Sequence, residues 1–141
     1  MESNDPSEKQ IQNAIFQYLA TRRDLRCWRQ NVGKAVPVGV VHKAVRLIQA
    51  GDIAGGLGAL NRGIMAFGVN GMADIGGIWQ GPRDNWMDEL CDPDGVRLEI
   101  EVKSETGKQS PEQVKYQAMI ERFGGRYILA RSVEDVDDGL R

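Results

Sequence analysis

Glu101 and Lys103 stand two residues apart in the run Leu98-Glu99-Ile100-Glu101-Val102-Lys103, which alternates apolar and charged side chains. A period of two predicts a β-strand. Leu98, Ile100 and Val102 then enter a core, while Glu99, Glu101 and Lys103 share the opposite face. Carboxylates beside an amine suit the holding of a metal ion next to a phosphate. Phosphodiester hydrolysis needs a divalent cation, hard oxygen ligands to hold it, and a positive group near the attacking water. Asp74, acidic within the largely apolar stretch Ala73–Trp79, needs a partner or a role. It supplies a second carboxylate from a neighbouring strand. A D…E-x-K pattern arises by chance roughly once in a chain of this length. Its weight comes from context: an acid on one strand, E-x-K on the next, and helices at both flanks.

The elements that must position these groups follow from capping and periodicity. Asp5-Pro6-Ser7-Glu8 opens a first helix with Asp5 as N-cap, and Ile11, Ala14, Ile15, Tyr18 and Leu19 form its apolar stripe. Glu8 lies on that stripe, so it is either the far half of a capping box on Asp5 or a carboxylate turned toward the site. Leu25 to Asn31 is a short strand followed by a turn at Gly33. Arg22, Arg23, Arg26 and Arg29 are close enough in sequence to meet a phosphate backbone, or to form a solvated basic edge. A short helix is expected over Val41–Ala50, a glycine-rich loop over Gly51–Gly63 and a strand over Ile64–Val69, with a tight turn at Asn70-Gly71. Gly81 to Gly95 reads as an extended hairpin tip, in which Trp86, Met87 and Leu90 form a small lid or contact surface. Ser110-Pro111-Glu112-Gln113 is a strong helix start, Gly124-Gly125 a helix end, Arg126–Ala130 a last strand, and Ser132–Leu140 a short acidic helix capped by Ser132.

Composition sets the outer bounds. A chain of 141 residues suits one domain with a sizeable core, and no linker or repeat divides it. A net charge of −2 argues against a uniformly basic coat protein but leaves room for a local basic patch. Cys27 and Cys91 have no CxxC spacing, so neither a disulfide framework nor a zinc site is expected. The lone His42 lacks partners at metal spacing, no G-x-S-x-G stretch supports a serine triad, and the glycine-rich loop lacks the P-loop pattern. The polar, acidic start carries no signal peptide, and no apolar run spans a membrane, so the expected location is cytoplasmic.

The segments Trp28-Arg29-Gln30-Asn31-x-Gly33, Phe67 through Ile75, Glu99 through Lys103, Gly107 through Gln113, and Gly124 through Asp135 together resemble the VRR-NUC (virus-type replication-repair nuclease) domain of the PD-(D/E)xK superfamily. The resemblance covers most of the chain except Val36–Arg62 and the 81–95 insertion, and Ala73 stands where proline is usual. It implies an α/β, restriction-endonuclease-like α-β-β-β-α-β core with a mixed central sheet flanked by helices. It also implies cleavage of DNA, often branched DNA such as flaps or Holliday junctions, dependent on Mg2+ or Mn2+. Carried over by position, Asp74, Glu101, the Val102 carbonyl and Glu8 match the metal ligands. Lys103 matches the lysine that positions or activates the water, and Gln113 the glutamine opening the next helix. Arg22, Arg23, Arg26, Arg29, Asn31, Lys108 and Lys115 are the candidate DNA contacts. Symmetric cutting of a junction would need two sites, hence a C2 homodimer. The competing expectation is a non-catalytic DNA-binding or protein-interaction module on a nuclease fold.

Overall fold

The computed structural model describes residues 5–31, 33–81 and 95–141, which fall into two compact units, 1–30 with 70–141 and, inserted between them, 31–69. The expected lid surface of Trp86, Met87 and Leu90, and Cys91, lie outside the described residues.

The larger unit is a mixed α/β domain. It comprises α1 (Glu8–Thr21), β1 (Leu25–Arg29), β4 (Ile75–Trp79), β5 (Val96–Val102), α4 (Pro111–Arg122), β6 (Arg126–Ala130) and α5 (Val133–Gly139). Its sheet has the order β1-β4-β5-β6, with β5 and β6 parallel and the other neighbours antiparallel. Alternation sorts the two faces. Ile75, Leu98, Ile100, Val102, Ile128 and Ala130 pack with Ile11, Ile15 and Leu19 of α1 and Val136 of α5. On the other face Tyr127 packs with Tyr116 and Ile120 of α4 and with Ala73. Glu99 and Glu101 alternate with the apolar set of β5, so they project onto the face that α4 covers.

α1 starts later than expected. Ser7, not Asp5, is the N-cap, and Gln10 completes the capping box. Glu8 therefore has no part in the box. α4 begins as expected, with Ser110 capping, Pro111 in the first turn and Gln113 closing the box. Gly71, at φ +81°, makes the turn before Asp74, and a Cβ there would lie 2.2 Å from the carbonyl oxygen of Glu112. Only glycine lets this turn and the start of α4 approach so closely.

The smaller unit holds a ribbon of β2 (Gly33–Ala35) and β3 (Met65–Phe67) and a helical hairpin, α2 (Val38–Gln49) and α3 (Ile53–Arg62). α3 replaces the glycine-rich loop expected there. Asp52 caps it through the Gly55 N–H at 2.8 Å. Gly56 lies where a Cβ would meet Ile48 and the Ala44 carbonyl, so a residue that weakens a free helix permits close packing of this one. Among the described residues no helix is long and apolar enough to cross a membrane.

Candidate metal and phosphate site

The register that pairs Ile75 with Ile100 continues outward to set Asp74 across from Glu101. Cross-strand neighbours have Cβ atoms about 5 Å apart, so the two carboxylates are adjacent. Asp74 Oδ2 accepts the Val102 N–H at 2.9 Å, which fixes one of its oxygens against the end of β5. Glu101 is buried, at 1% exposure. Its Oε1 accepts hydrogen bonds from the Lys103 ammonium and from Gln113 Nε2. Gln113 Oε1 meanwhile accepts the Ser110 N–H, so a single side chain caps α4 and clamps Glu101.

Glu101 Oε2 is buried and has no hydrogen-bond partner among the described residues. An unmatched buried acceptor costs about 1–3 kcal/mol, more when charged. Burial pushes the Glu101 carboxyl above its usual range; the Lys103 hydrogen bond pulls it back and the neighbouring Asp74 charge pushes it further up. A carboxylate with an open oxygen beside a second carboxylate is a donor set that suits a hard divalent cation.

Glu8 is exposed, and its Oε1 accepts the Ser104 N–H at 3.1 Å. A Cβ on Gly107 would lie 3.1 Å from this oxygen and 3.2 Å from Lys103 Cβ, so Glu8 reaches the loop that follows Lys103. Among the described residues no group of three or more His, Cys, Asp or Glu side chains is arranged to hold a metal ion. The expected gathering of Glu8, Asp74 and Glu101 around one ion is thus not seen as a three-carboxylate cluster. The carboxylate set at the site is the pair Asp74 and Glu101.

Glu99 shares the face of Glu101 but has a different setting. It is fully buried and accepts hydrogen bonds from Arg97 Nε at 2.7 Å, Tyr116 Oη at 3.0 Å and Gln30 Nε2. The Tyr116 phenol is pushed up to about 12, by burial first and the Glu99 charge second. Gln30 also donates its backbone N–H to the Asp74 carbonyl at 2.8 Å. Glu99 therefore joins β1, β5 and α4 beside the site, a role that strand alternation alone does not reveal. The nearest sequence signal is Arg97, two residues before it on the same face.

The basic residues do not form one row. Arg22 makes a two-point contact with Asp24, at 2.8 and 2.6 Å, and Trp79 Nε1 reaches the same carboxylate at 3.2 Å. Hydrogen bonding from Arg22 holds the Asp24 carboxyl down at about 2. Arg26 and Arg29 fall on opposite faces of β1, with the Arg29 guanidinium 5.4 Å from the centre of the Phe16 ring. Arg23, Arg26, Arg29, Lys108 and Lys115 are exposed; so is Asn31, which belongs to the smaller unit. No family model matches the chain, and no curated protein or solved structure gives a significant match.

Proposed function

We propose that this protein is a divalent-metal-dependent endonuclease that hydrolyses phosphodiester bonds in DNA on a restriction-endonuclease-like core, as its VRR-NUC resemblance implies. The observation that carries the reading is the open Oε2 of Glu101, buried next to Asp74 while Lys103 and Gln113 occupy Oε1. Mg2+ or Mn2+ held there by Asp74, Glu101 and the Val102 carbonyl would polarise the scissile phosphate and acidify a water. Lys103 would orient that water and stabilise charge building on the phosphoryl oxygens. Gln113 would keep Glu101 aimed, and Glu8, which from the start of α1 accepts the Ser104 N–H of the loop after Lys103, would take a water-mediated place. Branched DNA is the proposed substrate, with a C2 dimer presenting two sites.

One observation favours the second reading, a non-catalytic DNA-binding or interaction module: no three-carboxylate group is present among the described residues. Incubating the protein with linear, flapped and four-way DNA, with Mg2+, Mn2+ or EDTA, separates the two. Metal-dependent cleavage that falls at least a hundredfold in Lys103→Ala, with the circular dichroism spectrum unchanged, is the expected result. Intact DNA in every metal, or a fully active Lys103→Ala, overturns the assignment.

A further inference from the structure

A cavity of about 410 Å³ opens between the C-terminal half of α1 and the edge strand β1. Its floor is apolar: Leu19 and Leu25 are buried, and Phe16 and Cys27 are partly buried against the same core. Burial pushes the Cys27 thiol up to about 11, so it is uncharged there. The rim is cationic. Arg22 is neutralised by Asp24, but Arg23 and Arg26 have no carboxylate within ion-pair distance among the described residues. Arg26 Nη1 donates to the Leu25 carbonyl at 2.7 Å, which keeps its guanidinium at the rim. A second hollow, of about 330 Å³, shares Arg23, Leu25 and Arg26 and adds Asp24, whose carboxylate Arg22 occupies, with Ile78 and Gln80. The two arginines therefore stand on a saddle between two recesses.

A recess with an apolar floor, an aromatic wall whose Phe16 ring carries the Arg29 guanidinium on one side, and at its mouth two guanidinium groups without a carboxylate partner among the described residues fits a ligand with a flat apolar part and an attached anion. Its size is that of a small-molecule site, and a nucleotide has this chemistry. A base within a duplex stack cannot enter such a recess, whereas an unpaired one can. Glu8 and Phe16 are eight residues apart on α1, about 12 Å along the helix axis, so the recess and the residue that holds the loop after Lys103 are carried by one helix.

We propose that this cavity takes an unpaired nucleotide of single-stranded DNA, its base against Phe16, Leu19 and Leu25 and its phosphates on Arg23 and Arg26. The inference rests on the DNA reading above for its substrate, but needs neither metal nor cleavage. An acidic peptide is the competing occupant, and the guanidinium-and-aromatic wall favours the base.

Fluorescence anisotropy with labelled oligothymidylate and with a duplex of equal length, using the full chain in EDTA, tests it. The single strand is expected to bind tighter than the duplex. The double variant Arg23→Ala with Arg26→Ala should weaken it roughly tenfold and flatten its salt dependence by about 1.4 in log–log slope, two contacts of about 0.7 each. Phe16→Leu should weaken it several-fold without changing that slope. In a Cys91→Ser background, bound oligothymidylate should slow alkylation of Cys27. Binding by the arginine double variant within twofold of wild type overturns the proposal. So does oligoglutamate that displaces the strand and protects Cys27 equally well. Arginine-dependent binding without cleavage in any metal would sink the nuclease reading and leave this one standing; cleavage unaffected by the double variant, with unchanged binding, would do the reverse.

Discussion

Replacing Glu101 by Gln should stabilise the metal-free protein and remove its response to metal. The Gln oxygen can still accept from Lys103 and Gln113, while the charged Oε2, buried and without a partner, becomes a neutral amide nitrogen facing Asp74. The unmatched oxygen costs about 1–3 kcal/mol, against which stands a weaker contact with Lys103, so the net gain is about 1 kcal/mol. For a domain of this size that raises Tm by about 4 °C. Mn2+ at ten times its Kd should stabilise the wild type by about 1.4 kcal/mol, or about 6 °C, and should leave Glu101→Gln unmoved. The pH dependence has a definite sign. Because the folded protein raises the Glu101 carboxyl, this group's contribution is present below the ordinary carboxylate value and is lost as pH rises through the folded value. The advantage of Glu101→Gln over wild type should therefore grow from acid toward neutral pH, and the metal-induced shift of the wild type should shrink in acid, where a proton competes for the carboxylate. Differential scanning fluorimetry with EDTA or Mn2+ across this range reads all of it. A destabilised Glu101→Gln, or one that still responds to Mn2+, would refute the reasoning.

Two further perturbations probe the frame around the site. Arg22 holds the Asp24 carboxyl at about 2, against an ordinary 3.8, so the pair contributes about 2 kcal/mol above that ordinary value and loses it as pH falls toward the folded one. Asp24→Asn should cost about 2 kcal/mol in urea unfolding at pH 7 and progressively less below pH 4; a gap independent of pH would contradict this. Gly71→Ala combines a φ of +81° with a Cβ placed 2.2 Å from the Glu112 carbonyl oxygen. It should cost at least about 2 kcal/mol and, by shifting the start of α4 that carries Gln113, should weaken the Mn2+ response; an unchanged Tm would show that this turn yields more easily than its packing suggests.

What was legible in the sequence was local. The alternation through Leu98–Lys103 correctly separates core from site face, and Ser110-Pro111-x-x-Gln113 marks the start of α4, because both signals lie within a few residues of what they specify. At the other end of the chain Asp5 is the expected cap, and the structure shifts the start by two residues, because Ser7 and Gln10 make the reciprocal contact that Asp5 and Glu8 do not. The α3 glycines argued for a loop because propensity describes an isolated helix. Contact with Ile48 and Ala44, brought in by α2, reverses their meaning at Gly56. Arg22, Arg23, Arg26 and Arg29 are neighbours in sequence, but strand alternation sends Arg26 and Arg29 to opposite faces, and Asp24 neutralises Arg22.

The contrast between Glu99 and Glu101 is the part that sequence could not supply. Both are buried on the same face of β5, about 7 Å apart as i and i+2 of a strand. α4 meets them with Tyr116 and Gln113, which are i+3 and i on one helix face and so can each reach one carboxylate. Glu99 gains partners from three directions, while Glu101 is served on one oxygen only. Had folding stability alone shaped this face, the simplest second partner for Glu101 would be a donor from the residue preceding β4, where the chain instead presents Asp74, a further acid whose own charge pushes the Glu101 carboxyl upward. A domain that satisfies one buried carboxylate completely and places an acid opposite the next has built a local electrostatic conflict, and a cation is the species that would resolve it.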